Sequence, residues 1–301
     1  MSFPFRAQFE WALRTRTLPL GKRTLVMGIL NVTPDSFSDG GSYATPENAL
    51  TRALQMLEQG ADILDVGGES TRPGSTPLPP SDEQARVLPV IRAILKQRSN
   101  TVISVDTYHA ETARLAVEAG AEIVNDVSGH LWDTRMAETC AQLGCGAVLM
   151  HTRGRPGEWK MQAGLASGEV VPLVLTGLEQ LARSAIAAGA VPNSVALDPG
   201  FGFGKIGAEN YPLLASLSKL RELGFPILVG LSRKSFLRLA ATGDSEPAVP
   251  KVAQEKLLSA TLAANTAAIL AGAHIVRVHD VAEARAAADV ADTTLVAASI
   301  S

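Results

Sequence analysis

Cysteine is almost missing from this chain. The two present, Cys140 and Cys145, lie five residues apart with no second pair, which suits neither a structural zinc site nor a disulfide framework. They are expected to be reduced, buried thiols of a cytoplasmic protein. No uninterrupted apolar run reaches the roughly 18 residues of a membrane-spanning helix. Charge of one sign is not in excess either: 27 Lys and Arg against 30 Asp and Glu leave a net −3. That balance excludes a basic field for nucleic acid or an anionic membrane, so any anion site must be a local gathering of cations. Low-complexity segments and an interdomain linker are also lacking. The opening residues, with Phe3, Phe5, Phe9, Trp11, Arg14 and Arg16, have neither the compact apolar stretch nor the small-residue cleavage site of a secretion signal. Residues 1–23 are therefore expected to pack as an extension on a single domain formed by 24–301.

What is present is an apolar fraction of 46%, enough for a large core, in a repeating order. Short apolar runs begin near Leu25, Ile63, Val102, Glu122, Ala147, Val195, Ile227 and His274. Each is apolar on both faces, as in a parallel strand buried on both sides. Helical periodicity covers 46–59, 81–96, 110–119, 135–143, 169–188, 214–223, 251–271 and 281–298, and most of these stretches stop at a glycine. Ser81-Asp82-Glu83 is expected to cap and charge its helix start. Eight strands alternating with eight helices predict a closed (β/α)₈ TIM barrel. The alternative, an open doubly wound sheet, lacks its Gly-x-Gly-x-x-Gly after the first strand.

In such a barrel the chemistry sits where strands run into the following loops. The unusual residues collect there: Asn31 and Asp35; Asp65, Thr71 and Arg72; Asp106; Asn125 and Asp126; His151; Asp198 to Lys205; Ser232 to Ser235; Arg277 and His279. Singly, each has a plain structural explanation. Asp106 suits a helix cap, Asn125 a turn and His279 a strand-end hydrogen bond. Met150 and Met161 suit the core, and Arg153 and Arg155 a solvated loop. The Asp198–Lys205 run has the look of a phosphate cradle without P-loop spacing. Coincidence at all eight strand ends argues for one mouth. There Asp106, Asn125 and Asp198 suit a flat heterocycle rich in N–H groups. Arg72, Lys234, Arg277 and His279 suit an anion, and Asn31 and Asp35 are oxygen donors of the kind magnesium takes beside substrate phosphates.

The runs MGILNVTPDSFSDGG, DVGGESTRPGS, SVDT, NDVSG, DPGFGFGK, SRKS and VRVHDV resemble the dihydropteroate synthases of the folate pathway, from about Leu25 to Val281. The resemblance implies a (β/α)₈ barrel that joins a dihydropterin diphosphate to 4-aminobenzoate and releases diphosphate. It implies that Asp106, Asn125, Asp198 and Lys234 bind the pterin, with Thr71 and Arg72 in a loop that folds over it. Asn31, Arg277 and His279 would hold the diphosphate, with magnesium at Asn31. Phe37, Arg72, Pro73, Phe203 and Ser235 would line the 4-aminobenzoate pocket. Catalysis would fall to Asp106, Asp198, Lys234, Arg277 and His279, and the late helices would form a homodimer. One stretch departs from the family's Met-x-Gly-x-Pro segment: after His151 it reads Thr152-Arg153-Gly154-Arg155-Pro156-Gly157-Glu158-Trp159.

With no activated serine or cysteine among the motifs, the expected chemistry is dissociative. The carbon–oxygen bond breaks before the amine attacks, and Asp106 and Asp198 stabilise the growing positive charge. A corrinoid-dependent methyltransferase of the pterin-binding barrels would share the acids but needs no diphosphate site. An inactive binding homologue would have lost site residues that this chain retains.

Overall fold

A computed structural model describes residues 6–33, 46–70, 77–242 and 251–300. The chain begins with an antiparallel hairpin, β1 (Phe9–Ala12) and β2 (Thr17–Leu20). Each of the eight apolar runs then forms a strand: β3 (Leu25–Asn31), β4 (Ile63–Gly67), β5 (Val102–Asp106), β6 (Ile123–Asp126), β7 (Gly146–Met150), β8 (Val195–Asp198), β9 (Leu228–Val229) and β10 (Ile275–Val278). All neighbours run parallel, in the order β8-β7-β6-β5-β4-β3-β10-β9. A parallel bridge from Leu197 to Ile227 joins the two ends, closing a TIM barrel.

The strands are apolar on both faces because they are covered on both sides. One set of side chains, including Met27, Ile63, Val102, Ile123, Val148, Ala196, Leu228 and Ile275, fills the interior. The alternate set, such as Val26, Leu64, Val105, Val124 and Val276, packs outward against helices. The hairpin plugs the end of the barrel where the strands begin. Trp11 is 0% exposed within the interior cluster, beside Leu13 and Leu20, and its Nε1–H donates to the Ser194 carbonyl at 2.8 Å. The segment is tied down by Arg6, which donates to Asp292 at 2.8 Å, and by Glu122, which accepts from Thr15 and Arg16.

The outer ring contains α1 (Pro46–Glu58), α2 (Pro80–Gln97), α3 (Ala110–Glu118), α4 (Met136–Leu143), α5 (Val170–Ala187), α6 (Asn210–Ala215), α7 (Ser235–Thr242), α8 (Lys251–Leu270) and α9 (Val281–Ile300). Three expectations need correction. Ser81 is not the cap of α2: Pro80 opens the helix, Pro79 precedes it without a side-chain cap, and the Ser81 hydroxyl turns to Asp82. Proline at the first position lacks an N–H that would otherwise need a partner. The helix expected over 214–223 is the short α6 followed by a 3₁₀ segment, Leu217–Leu223. After β9 there are two helices, α7 and α8, where one was expected. By length and composition α5 alone among the described residues is apolar enough to cross a membrane, yet its Val170, Val174, Leu178 and Leu181 face is buried on the barrel.

Candidate active site

The carboxyl ends of the strands form the mouth. Strand register sets Gly67 beside Asp106, Asp106 beside Asn125, and Met150 beside Asp198. Asp65 sits one step deeper, level with Ile29 and Ser104. Arg277 enters from β10 and is held in a fork: Nε donates to Asp65 Oδ2 at 2.6 Å and a terminal nitrogen donates to Asp106 Oδ2 at 2.5 Å. Asn125 Nδ2–H donates to the same Asp65 oxygen at 3.0 Å, while Asp65 Oδ1 is fully buried without a partner. The Asp65 carboxylate on β4 thereby cross-links β6 and β10, and Asp106 adds β5 through the same Arg277.

The electrostatics are tense. Burial pushes the Asp106 carboxyl up, to about 7; the Arg277 guanidinium opposes this, while Asp65, Glu83 and Asp126 reinforce it. Burial alone would lower the Arg277 guanidinium, but Asp65 and Asp106 outweigh it and keep it charged. Asp198 is also raised by burial, against the Gly200 N–H at 2.7 Å and the nearby Lys234 and Arg277. Lys234 is lowered to about 8, chiefly by burial, with Asp198 pulling it back. Its Nζ lies 3.9 Å from the Phe203 ring centroid, a cation–π contact.

Beneath this layer Lys205 Nζ bonds to His151 Nδ1 at 3.0 Å, the His151 carbonyl at 3.3 Å and the Phe203 carbonyl at 3.1 Å. The Asp198–Lys205 run is therefore not a phosphate cradle, because its lysine turns inward and fastens backbone. Burial lowers Lys205 to about 7, and burial beside Lys205 lowers His151 to about 3, so His151 is neutral. Gly200, at φ +66°, lets this loop approach β7; a Cβ there would strike the His151 carbonyl.

Toward the rim, Ser232 Oγ pairs with His279 Nδ1 at 3.0 Å and also accepts the His279 N–H. Arg52, from α1, donates to the His279 carbonyl at 3.1 Å. Ser235 opens α7 directly after Lys234. Asn31 ends β3, partly exposed. Tyr108 donates to Glu69 Oε1 at 2.8 Å at the margin of the mouth.

The structure thus gathers Asp106, Asn125, Asp198, Lys234, Phe203, Arg277 and His279 at one end of the barrel. Phe37, Asp35, Thr71, Arg72 and Pro73 lie outside the described residues. Acids and cations share this one end, and Arg277 is interleaved with the acids rather than set apart from them. Met161 is 78% exposed, so it is not a core residue, whereas Met150 is buried. Arg153 is not merely solvated, since it donates to the Gly204 and Ala163 carbonyls, and Arg155 lies over the Trp132 ring, 5.0 Å from its centroid. Sequence reasoning saw Asp65 at its strand end but gave it no role, and it passed over Arg52. The signal for Asp65 was a carboxylate inside an otherwise apolar strand.

Among known proteins, the family model described as "Pterin binding enzyme" matches residues 27–279. The dihydropteroate synthase of Streptococcus pyogenes is 44% identical over 256 residues, 85% of this chain and 90% of that protein. The crystal structure of Xanthomonas albilineans dihydropteroate synthase with 4-aminobenzoic acid aligns with a TM-score of 0.83 at 40% identity, covering 95% of this chain and 98% of that one. The Burkholderia cenocepacia dihydropteroate synthase complexed with 7,8-dihydropteroate aligns with a TM-score of 0.82 at 37% identity, covering 97% and 99%.

Proposed function

This chain belongs to the pterin-binding enzyme family, and from that premise we propose how its barrel mouth carries out the family's chemistry. The protein is a transferase of folate biosynthesis. It condenses (7,8-dihydropterin-6-yl)methyl diphosphate with 4-aminobenzoate, yielding 7,8-dihydropteroate and diphosphate.

The observation that carries the site assignment is the Arg277 fork on Asp65 and Asp106, with Asp198 and Lys234 alongside. Carboxylates and cations lie within one mouth, as a substrate with a cationic transition state and an anionic leaving group requires. In this reading Asp106, Asn125, Asp198 and Lys234 bind the pterin ring, whose N–H groups find ionised or amide acceptors. The partnerless Asp65 Oδ1 offers one more acceptor. The bond between the methylene carbon and the diphosphate oxygen breaks, its electron pair leaving with diphosphate. Asp106 and Asp198 stabilise the carbocation; Arg277 and His279 stabilise the departing anion. The amine nitrogen of 4-aminobenzoate then forms the new bond and loses a proton. Thr71, Arg72 and Pro73, with Phe37, are assigned to cover the site and exclude water. Phe203 and Ser235 are assigned to the 4-aminobenzoate, whose carboxylate suits the start of α7.

Magnesium fits the donor set in a limited way. Asn31 offers a neutral amide oxygen at the end of β3, beside the strand that carries Arg277. A magnesium ion accepts one or two protein oxygens alongside phosphates and would neutralise diphosphate charge there. We also propose a homodimer through the late helices, and a cytoplasmic location that suits the two buried, unpaired cysteines. Purified protein given dihydropterin diphosphate, 4-aminobenzoate and magnesium is expected to form dihydropteroate and one equivalent of diphosphate. Diphosphate release indifferent to 4-aminobenzoate would defeat this reading.

A further inference from the structure

The loop after β7 is packed on the aromatic side of the mouth through one side chain. Trp159 is 6% exposed, and its ring stands perpendicular to Phe203, at 88° with centroids 5.2 Å apart. The indole N–H is used locally, donating to the Gly154 carbonyl at 3.1 Å. The loop around it is built rather than loose: Glu158 accepts the Arg155 N–H at 2.8 Å, and Arg153 donates to the Gly204 carbonyl at 3.0 Å.

Phe203 is fixed along its backbone both by its own loop and by the loop after β7. Its carbonyl accepts from Lys205 Nζ at 3.1 Å and from the Arg153 N–H at 3.4 Å, and its N–H donates to Gly200. With the backbone held, the remaining freedom of Phe203 is rotation of its ring, and Trp159 packs against that ring. The same ring supports Lys234 Nζ. We propose that Trp159 is a positioning residue that sets the Phe203 ring for the aryl amine, so that the loop 152–162 tunes selection of the second substrate. The inference rests on the assignment of Phe203 to the 4-aminobenzoate pocket. An edge-to-face aromatic pair is worth roughly a 2- to 12-fold change in an equilibrium constant.

The test compares full-length wild type with W159L, W159F, F203L and the double variant F203L/W159L, reading kcat, KM for each substrate and Tm. W159L is expected to raise KM for 4-aminobenzoate roughly 5-fold, with kcat and KM for the pterin substrate within about 2-fold. W159F keeps an aromatic edge and is expected to stay within about 2-fold throughout. On the F203L background, W159L is expected to add nothing, because its effect passes through the missing ring. Three results each overturn the proposal: a wild-type KM for 4-aminobenzoate in W159L, equal losses in W159F and W159L, or additive losses in the double variant. If W159L shows no melting transition, W159M takes its place in the same comparison. A wild-type enzyme that forms no dihydropteroate defeats the assigned function as well, whereas an active wild type with an indifferent Trp159 defeats this inference alone.

Discussion

Arg277 stands between Asp65 and Asp106, and burial disfavours the ionised form of Asp106. Asp106 is raised to about 7 by burial against the pull of Arg277, and Lys234 is lowered to about 8 by burial against the pull of Asp198. The signs give a pH window. Asp106 works ionised, so kcat/KM for the pterin substrate is expected to rise with pH through about 7. Lys234 works protonated, so the same constant is expected to fall as pH rises through about 8. A bell measured from roughly pH 5 to roughly pH 10 checks this, its limbs belonging to the coupled cluster rather than to single residues. Asp106→Asn is expected to shift the acid limb and lower kcat roughly 100- to 1000-fold, the usual loss of one preorganised electrostatic group. A wild-type rate in that variant, or a flat profile in the wild type, contradicts the electrostatic role. The individual residues were legible because polar groups at the ends of apolar strands are conspicuous. Their pairing was not: the Arg277–Asp65 bond spans 212 residues, and nothing local announces which carboxylate an arginine will meet.

At the scale of elements, the strands were the easiest part to read, because covering on both faces leaves an uninterrupted apolar signature. The hairpin β1–β2 was missed. Its alternation is only four residues long in each strand, interrupted by Arg14, Thr15 and Arg16, and its apolar face acquires meaning only from the barrel end it fills. The two helices after β9 were read as one because α7 is only eight residues long, although its apolar residues do recur at helical spacing. Helix ends were legible where glycine marks a required backbone conformation. Gly120 closes α3 at φ +113°, and a Cβ there would strike Leu95 Cδ1 on α2. Gly120→Ala combines left-handed strain with that clash and is expected to lower stability by about 1–3 kcal/mol. Chemical denaturation reads the loss, and kcat is expected to stay near wild type because the turn is on the side of the barrel away from the mouth. A stability equal to wild type would mean that the turn relaxes freely.

Across the whole molecule the two ends of the barrel divide their tasks. The mouth gathers buried charge that burial itself disfavours; the opposite end is sealed by a fully buried tryptophan among interior aliphatics. Strain at a functional site persists because the rest of the structure over-determines it. The plugged end is held by packing of its own, Leu13 and Leu20 beside Trp11 in one cluster with Met27, Ile63 and Ile123. Trp11→Ala removes the largest of these groups and is expected to lower stability by about 3–5 kcal/mol, the usual cost of truncating a buried tryptophan. Its kcat at a temperature well below the new Tm is expected to remain near wild type. Asp106→Asn reverses the pattern, losing rate while keeping stability near wild type, since burial already disfavours the ionised Asp106 and Arg277 keeps its bond to Asp65. The double variant should combine both losses without interaction, within about 0.5 kcal/mol, because the groups share no partner. Denaturation curves and turnover measured on all four proteins decide it: coupling well beyond that margin would mean that the plug sets the geometry of the charged mouth, and that the two ends form one cooperative unit rather than a scaffold with a site built on it.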